Sequence, residues 1–551
     1  MDKQNKRNKW LVVIEALVIF IIFVTAFELG KRVTEIRQNS VDSELLRFFR
    51  ENYRKSDAND KLYEVINAIK DRYVDSVNVD SLEEKAISIL LKELDPHSIY
   101  IPPVEAKAEN EQMQGNFEGI GIYFNVQHDT VVVVGIIPGG PAEKTGLLPG
   151  DKIIMVDDSS IVGADTYTIM KKIKGPKGSK VKITVIKPVV NDTVSYLIQR
   201  DVIPIKSVDV YFKVKDDIGY LKISRFAQNT YQEFVNAIRR LHEQGVRKII
   251  LDLRGNAGGY MNVAVKIADA FLPAGKTIVY IEGAHQPRQT YTATSNDLCV
   301  NDSVAILIDE WSASASEILA GAIQDNDKGV IIGRRSYGKG LVQEPYEFSD
   351  GSVVRLTIAR YYTPTGRCIQ KSYDKGIEDY YSEISKRYSD GELVNKDSIH
   401  FPDSLMFRTP KGKVVYGGGG IMPDIFVPLD TSRFDNFYYE VISRNLLYAF
   451  ALNYSERHRK MLLQFKSYQS LYKHLKNSNA WTEFLKYAKD NGTKYQPESE
   501  QTIRTLKDFL YAYIVRFYFG DKGFYPIYLR HDKVFNKAVD YFENKTPSLP
   551  G

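Results

Sequence analysis

The chain has 551 residues, 43% hydrophobic and 26% charged, proportions that exclude a disordered, collagenous or polytopic membrane protein. Lys+Arg 74 against Asp+Glu 69 leaves a formal +5, too even for a chain devoted to binding phosphate backbones. Two cysteines exclude a disulfide scaffold and Cys-rich metal sites, and 36 tyrosines against 8 histidines is an imbalance that needs a location.

The first nine residues carry Lys3, Lys6, Arg7 and Lys9 against Asp2, and an apolar run follows from Trp10 to Leu29, broken only by Glu15 and Glu28. A helix of about 20 such residues crosses a bilayer, and a basic flank stays in the cytoplasm. A cleaved signal peptide has a shorter apolar stretch of about 7–15 residues ending in small residues. The length here, with no A-x-A site behind it, favours an uncleaved anchor over residues 10–29 over a cleaved signal or a buried helix. Everything after Gly30 is then exported to the far side of that membrane. An oxidising compartment is permitted but not demanded by Cys299 and Cys368.

Residues 43–110 read as helices, since LYEVINAIKDRYV and LEEKAISILLKEL repeat apolar positions at three and four. The second ends at the turn Asp95-Pro96-His97-Ser98. Over 115–190 the pattern changes to short β-rich runs (GIGIYFNV, TVVVVGII, DKIIMVDD, KVKITVIK) broken by Gly and Pro, a small β module with helices near Pro141–Thr145 and Tyr167–Ile173. From 191 to 430 strands alternate with helices: IGYLKI, YQEFVNAIRRLHEQG, RKIILDLRG, MNVAVKIADAFL, SVAILIDE, SASEILAGAIQD. That is an α/β layer. Residues 431–551 read as a helical extension. They hold 14 of the 36 tyrosines and only four of the 37 glycines, so the aromatic excess is concentrated there. Such stripes at helical spacing are commonly core, either of a bundle or against a neighbour. The alternative is a surface for a homo-oligomer or an adaptor protein.

Three stretches could carry chemistry. In ILIDEWSASASEILAGAIQD a strand ends, Ser312, Ser314 and Ser316 occupy a short turn, and a helix begins. A hydroxyl there faces free N–H groups and the positive end of a helix dipole, as an oxyanion site requires, although a serine at that place can also simply cap the helix. In VIIGRRSYGKGLVQ, Lys339 lies between two glycines after an apolar strand, with Gln343 four residues on. Gly333 to Lys339 fits G-x-x-x-x-G-K, but Gly340 replaces the Ser/Thr that would hold magnesium, so a phosphate loop is excluded. A lysine packed into an apolar site is instead drawn towards the neutral amine, which can accept a serine proton. In LDLRGNAGGYM, Gly258 and Gly259 end another strand, where backbone N–H groups can approach a reacting carbonyl.

SASASEILAGAIQD, then GRRSYGKGLVQ, with LDLRGNAGG upstream and ARYYTPTGR downstream, closely resemble the C-terminal processing (tail-specific) serine proteases, the S41-type peptidases with an embedded PDZ domain. The PDZ resemblance rests on GIGIYF, IIPGGPAEKTGLLPGDKIIMVDD and KVKITVI; Asp95-Pro96-His97-Ser98 and GGGGIMPDI match further family landmarks. The match covers about residues 58–430. It implies a crotonase-like layered α/β protease core with an inserted PDZ module. It also implies Ser314 as nucleophile, Lys339 as base 25 positions on, and Gln343 as the residue orienting the lysine. Oxyanion donors would be the N–H of Ala315 and of Gly258 or Gly259. Asn256-Ala257 varies the Asn-Pro more usual in that loop. The PDZ carboxylate-binding loop falls on Gly119, Ile120, Gly121 and Ile122, with an ordinary tight turn before a strand as the alternative. The resemblance implies no metal or cofactor, protein or peptide substrates with exposed C-terminal tails, and no nucleic acid. His97 could tempt as a base, but its X-Pro turn points to a structural role. An inactive relative serving as a PDZ-type scaffold is the alternative.

Overall fold

The structure, a computed structural model, describes residues 61–127, 129–137, 139–187, 192–430 and 434–544. The expected membrane segment 10–29 lies outside the described residues, and among those no helix is long and apolar enough to cross a membrane.

The lead-in consists of helices Lys61–Arg72 and Val79–Lys92, the second capped by the Asn78 side chain, which accepts the Ser81 N–H. It is stitched into the core: strand Ile99–Ile101 pairs antiparallel with Val353–Tyr362. Helix Pro103–Gln114 then stops at Gly115, whose φ of 74° makes the left-handed C-cap that glycine permits.

The β module hangs on a two-stranded stalk, Asn116–Gly119 paired with Asp201–Pro204, so the chain enters and leaves side by side. Its antiparallel sheet runs Ile122–Gln127, Thr130–Ile136, Lys152–Val156, Lys180–Lys187, Asp192–Gln199. The alternation of Val181, Ile183 and Val185 buries one face against Ile169 and Ile173 of helix Thr166–Ile173. The module extends beyond the boundary expected at 190, to Gln199: its final strand, Asp192–Gln199, pairs along the whole of Lys180–Lys187 but buries only Ile198, so it lacks a clear apolar-in, polar-out alternation. Strand Ile122–Gln127 is at the edge of the sheet, with no strand paired to its outer side among the described residues.

The core holds a six-stranded sheet in the order Val208–Lys215, Ile218–Ile223, Lys248–Asp252, Ser303–Ile308, Gly329–Gly333, Ile425–Phe426, parallel after the first antiparallel pair. Parallel neighbours require crossovers, and helices Thr230–Glu243, Met261–Phe271 and Ala315–Asp325 provide them. These helices bury one face of the sheet, and on their far side meet Val279, Ile281, Ala359 and Tyr361 of a second sheet.

The other face of the six-stranded sheet is covered by the C-terminal extension. Tyr220, Ile250, Leu307 and Ile332 pack against Phe535 and Phe542 of the last helix, Lys533–Asn544. The extension also has its own core, in which Phe437, Phe450 and Phe484 are fully buried, and a long helix Glu500–Tyr528 that kinks at Gly520. It reaches the β module too: Arg459 Nη1 donates to the Pro149 carbonyl at 3.2 Å.

Candidate active site

Ser314 is the last residue before helix Ala315–Asp325, at φ 55° and ψ −114°. A non-glycine residue with positive φ is held there against a steric cost of the order of 1–3 kcal/mol, and such strain concentrates where a side chain must be aimed. The turn is pinned from both directions. Ala313 donates to the Asn256 carbonyl at 3.0 Å, and the Ser314 N–H to Glu317 Oε2 at 2.8 Å, one half of a capping box. The flanking serines are structural: Ser312 Oγ donates to the Leu253 carbonyl and Ser316 Oγ to that of Asn256.

Glu317 is buried and its carboxylate has four donors: Ser314 N–H, Lys339 N–H at 2.9 Å, Gly338 N–H at 2.7 Å and Ser336 Oγ at 2.5 Å. Burial nonetheless pushes its pKa up to about 7, against the pull of those donors. Opposite, the buried Tyr361 hydroxyl lies 2.8 Å from the Lys339 carbonyl and 3.2 Å from that of Ser314. One carboxylate and one phenol thus fix the peptide units of both the serine and the lysine.

Lys339 Nζ donates to Gln343 Oε1 at 2.8 Å, and Gln343 Nε2 donates to the His97 carbonyl. Burial draws the Lys339 pKa from 10.5 down to about 8, helped by the positive charge of Arg355. In this structure the ammonium is bonded to Gln343 rather than to the Ser314 hydroxyl. His97 contributes its carbonyl, while its ring nitrogen meets Tyr380 Oη at 2.6 Å and burial, with Lys339 next, takes its pKa down to about 3. Asp95 shapes that turn by accepting the N–H of His97 and of Ser98 at 2.8 and 3.0 Å.

Gly258 and Gly259 complete the cluster. A Cβ on Gly258 would stand 2.8 Å from Ser314 Cβ and 3.0 Å from the Ala315 nitrogen; on Gly259 it would stand 2.2 Å from the Phe226 oxygen. Their φ values, 105° and 140°, are glycine conformations. The Gly258 N–H is taken by Asn256 Oδ1 at 2.9 Å, whereas those of Gly259 and Ala315 have no acceptor among the described residues. Every residue singled out by sequence for the core site is therefore brought to one place.

The expected carboxylate loop sits at the start of the module's edge strand. Ile120 and Gly121 use their carbonyls, accepting Ala142 N–H at 2.8 Å and Ile137 N–H at 2.9 Å, and leave their own N–H groups without an acceptor among the described residues. Gly121, at φ 79°, touches Gly140 so closely that a Cβ would lie 3.0 Å away.

Residues 217–381 match the model of peptidase family S41, residues 110–186 that of the PDZ domain, and residues 437–520 a family of unknown function. The carboxy-terminal processing protease CtpA of Bacillus subtilis is 34% identical over 347 residues, which cover 60% of this chain and 73% of that protein. The chain belongs to the S41 family. It is a serine peptidase of the carboxy-terminal processing group with a PDZ domain. A Staphylococcus epidermidis protein described as a probable CtpA-like serine protease is 35% identical over 61% of this chain and 67% of its own length. The solved photosystem II D1 C-terminal processing protease is 25% identical, covering 74% of this chain and 97% of its own, at a TM-score of 0.36.

Within this S41 peptidase a second lysine is perturbed. Lys371 is also drawn down to about 8 by burial, but its ammonium meets the Glu383 carboxylate at 3.2 Å and lies over the rings of Tyr337 and Tyr380. Among the described residues Lys339 Nζ has only the neutral Gln343 amide as acceptor, so of the two it is the one suited to release its proton. Sequence reasoning missed Glu317, Tyr361 and the His97 carbonyl. Ser314-x-x-Glu317 is a legible capping box; nothing in the sequence marks the other two.

Proposed function

We propose that this S41 protease is an endopeptidase in which Ser314 is the nucleophile and Lys339 the general base, with substrates captured by their C-terminal tails on the PDZ module. The observation that carries it is Lys339, a part-buried amine held by neutral Gln343 and tied through Glu317 to the strained turn of Ser314. Neutral Lys339 takes the Ser314 proton as the oxygen attacks the scissile carbonyl; catalytic hydrogen bonds absent in a free enzyme often form only with substrate in place. The open N–H groups of Ala315 and Gly259 receive the oxyanion, and Gly258 provides the close approach. Lys339 then gives the proton to the departing amine, leaving an ester on Ser314, which water hydrolyses with the lysine again as base.

Tail capture is supported by the unpaired edge of Ile122–Gln127 and by the open Ile120 and Gly121 N–H groups at its start: a peptide adds as a strand and its carboxylate meets those amides. The basic start and apolar run support a single-pass anchor over 10–29, with the catalytic part on the periplasmic face of the inner membrane. An intact Ser314, Lys339 and Gln343 set argues against an inactive scaffold, which has no use for a desolvated lysine.

The test is cleavage of a loosely folded protein by wild type, Ser314→Ala and Lys339→Ala. Cleavage by wild type alone is expected; equal cleavage by either variant removes the assignment. Protease protection in spheroplasts tests the orientation, and a catalytic part shielded from added protease contradicts it.

A further inference from the structure

The segment that leads to the Gly258-Gly259 turn is held by the C-terminal extension. Arg254 stands four residues before Gly258. Its Nε and Nη2 donate to the buried Asp252 carboxylate at 3.0 and 2.6 Å, and its Nη1 forks onto Asp532 at 2.9 and 2.7 Å. A two-oxygen grip on a planar guanidinium fixes direction as well as distance. Burial would push Asp252 up, but Arg254 and then Lys222 override it and hold the carboxyl below its usual range. The Arg254 carbonyl is taken by Lys222 Nζ at 3.0 Å, and the next N–H, of Gly255, by Asp309 Oδ1 at 3.0 Å. From there the chain passes Asn256, whose side chain and carbonyl bond Gly258 and Ala313.

Asp532 lies outside the region that carries the resemblance. It caps helix Lys533–Asn544, accepting the Phe535 N–H at 2.8 Å, and that helix is fixed by Phe535, whose ring meets Tyr220 edge-on at 5.5 Å. Tyr220 in turn donates to Asp252 at 2.7 Å. The last helix and the oxyanion turn therefore share one polar knot made of Tyr220, Asp252, Arg254 and Asp532.

We infer that Asp532 is a positioning residue for the protease reaction, setting through Arg254 the geometry of the turn that presents the Gly259 N–H. The extension is then a working part of the catalytic unit. This rests on the Ser314–Lys339 reading above.

Asp532→Asn in the full chain separates the charge from the cap, because Asn caps a helix as well as Asp does. On a peptide substrate, kcat falls about five- to tenfold with KM unchanged, and affinity for a peptide boronate, whose tetrahedral adduct places an oxygen in the oxyanion site, falls in the same proportion. Asp532→Glu recovers much of both. Phe542→Leu loosens the far end of the same helix, ten positions from Asp532, and lowers Tm while keeping kcat. Asp532→Asn with kcat and boronate affinity within twofold of wild type overturns the inference. So does an Asp532→Asn that loses kcat no more than Phe542→Leu at matched Tm. If Asp532→Asn does not fold, Asp532→Ser, which also caps a helix, takes its place, and kcat and boronate affinity within twofold of wild type overturn the inference equally. If Ser314→Ala cleaves like wild type, the proposed function fails and this inference with it; if only the Asp532 effects are missing, the inference alone fails.

Discussion

The Glu317 carboxylate accepts the backbone N–H of Lys339 at 2.9 Å across 22 positions of chain. Because its other donors include Ser314 N–H, the distance between the two proposed reacting residues is set by one buried side chain. A glutamine there presents one oxygen and one NH2 to groups that all need an acceptor, so at least one buried donor loses its partner. Glu317→Gln is expected to lower kcat about a hundredfold in steady-state assays with little change in KM. A variant within fivefold of wild type would show that the loops hold without it.

Lys339 must be neutral to act, and its pKa is near 8. The rate kcat/KM should therefore climb with pH below about 8 and level off above it. Gln343→Glu sets a carboxylate beside the ammonium, which favours the charged form and moves the rising limb to higher pH. Activity at pH 7 then falls more than activity at pH 9.5. A pH–rate profile decides this: an unmoved limb in the variant means that another group titrates.

The last helix is a cover for the protease sheet. Phe535 is 7% exposed and packs against Tyr220. Phe535→Ala removes a buried aromatic and should cost about 3–4 kcal/mol in urea unfolding. A loss under 1 kcal/mol would mean the helix detaches readily. For the same reason, removing residues 431–551 exposes Tyr220, Ile250 and Leu307, and the shortened chain should aggregate.

Capture of tails through the Ile120 and Gly121 amides predicts a preference for a free carboxylate. A peptide ending in –COO⁻ should bind Ser314→Ala at least tenfold more tightly than its amidated twin, measured by calorimetry. Equal affinities would leave the loop as an ordinary turn.

Much of this architecture is legible in the sequence wherever one element carries one local signal. The parallel strands RKIILDLRG and SVAILIDE are continuous apolar runs, as two-sided burial demands, and the helices between them show their periodicity plainly. Ser314, Lys339 and Gln343 lie in stretches framed by glycines and strand ends, but their roles come from the resemblance to the family, since at the turn alone a serine that caps the helix is the plainer reading. What escapes is contact between distant segments: the His97 carbonyl on Gln343, the Tyr361 hydroxyl between Ser314 and Lys339, and Arg254 on Asp532. A carbonyl carries no sequence identity, and an Arg–Asp pair 278 positions apart looks like two surface charges. The aromatic extension reads correctly as helical, but its dual role, own core and lid of the sheet, depends on which stripe faces which neighbour.

The most direct test of the central claim is intact-mass and peptide mapping after reaction with a fluorophosphonate, which bonds only to an activated serine. Wild type should gain one adduct, on Ser314, at a rate that rises with pH to a plateau above about 8, and Lys339→Ala should stay unlabelled. An adduct on another residue, or a Lys339→Ala variant labelled as fast as wild type, would contradict the account.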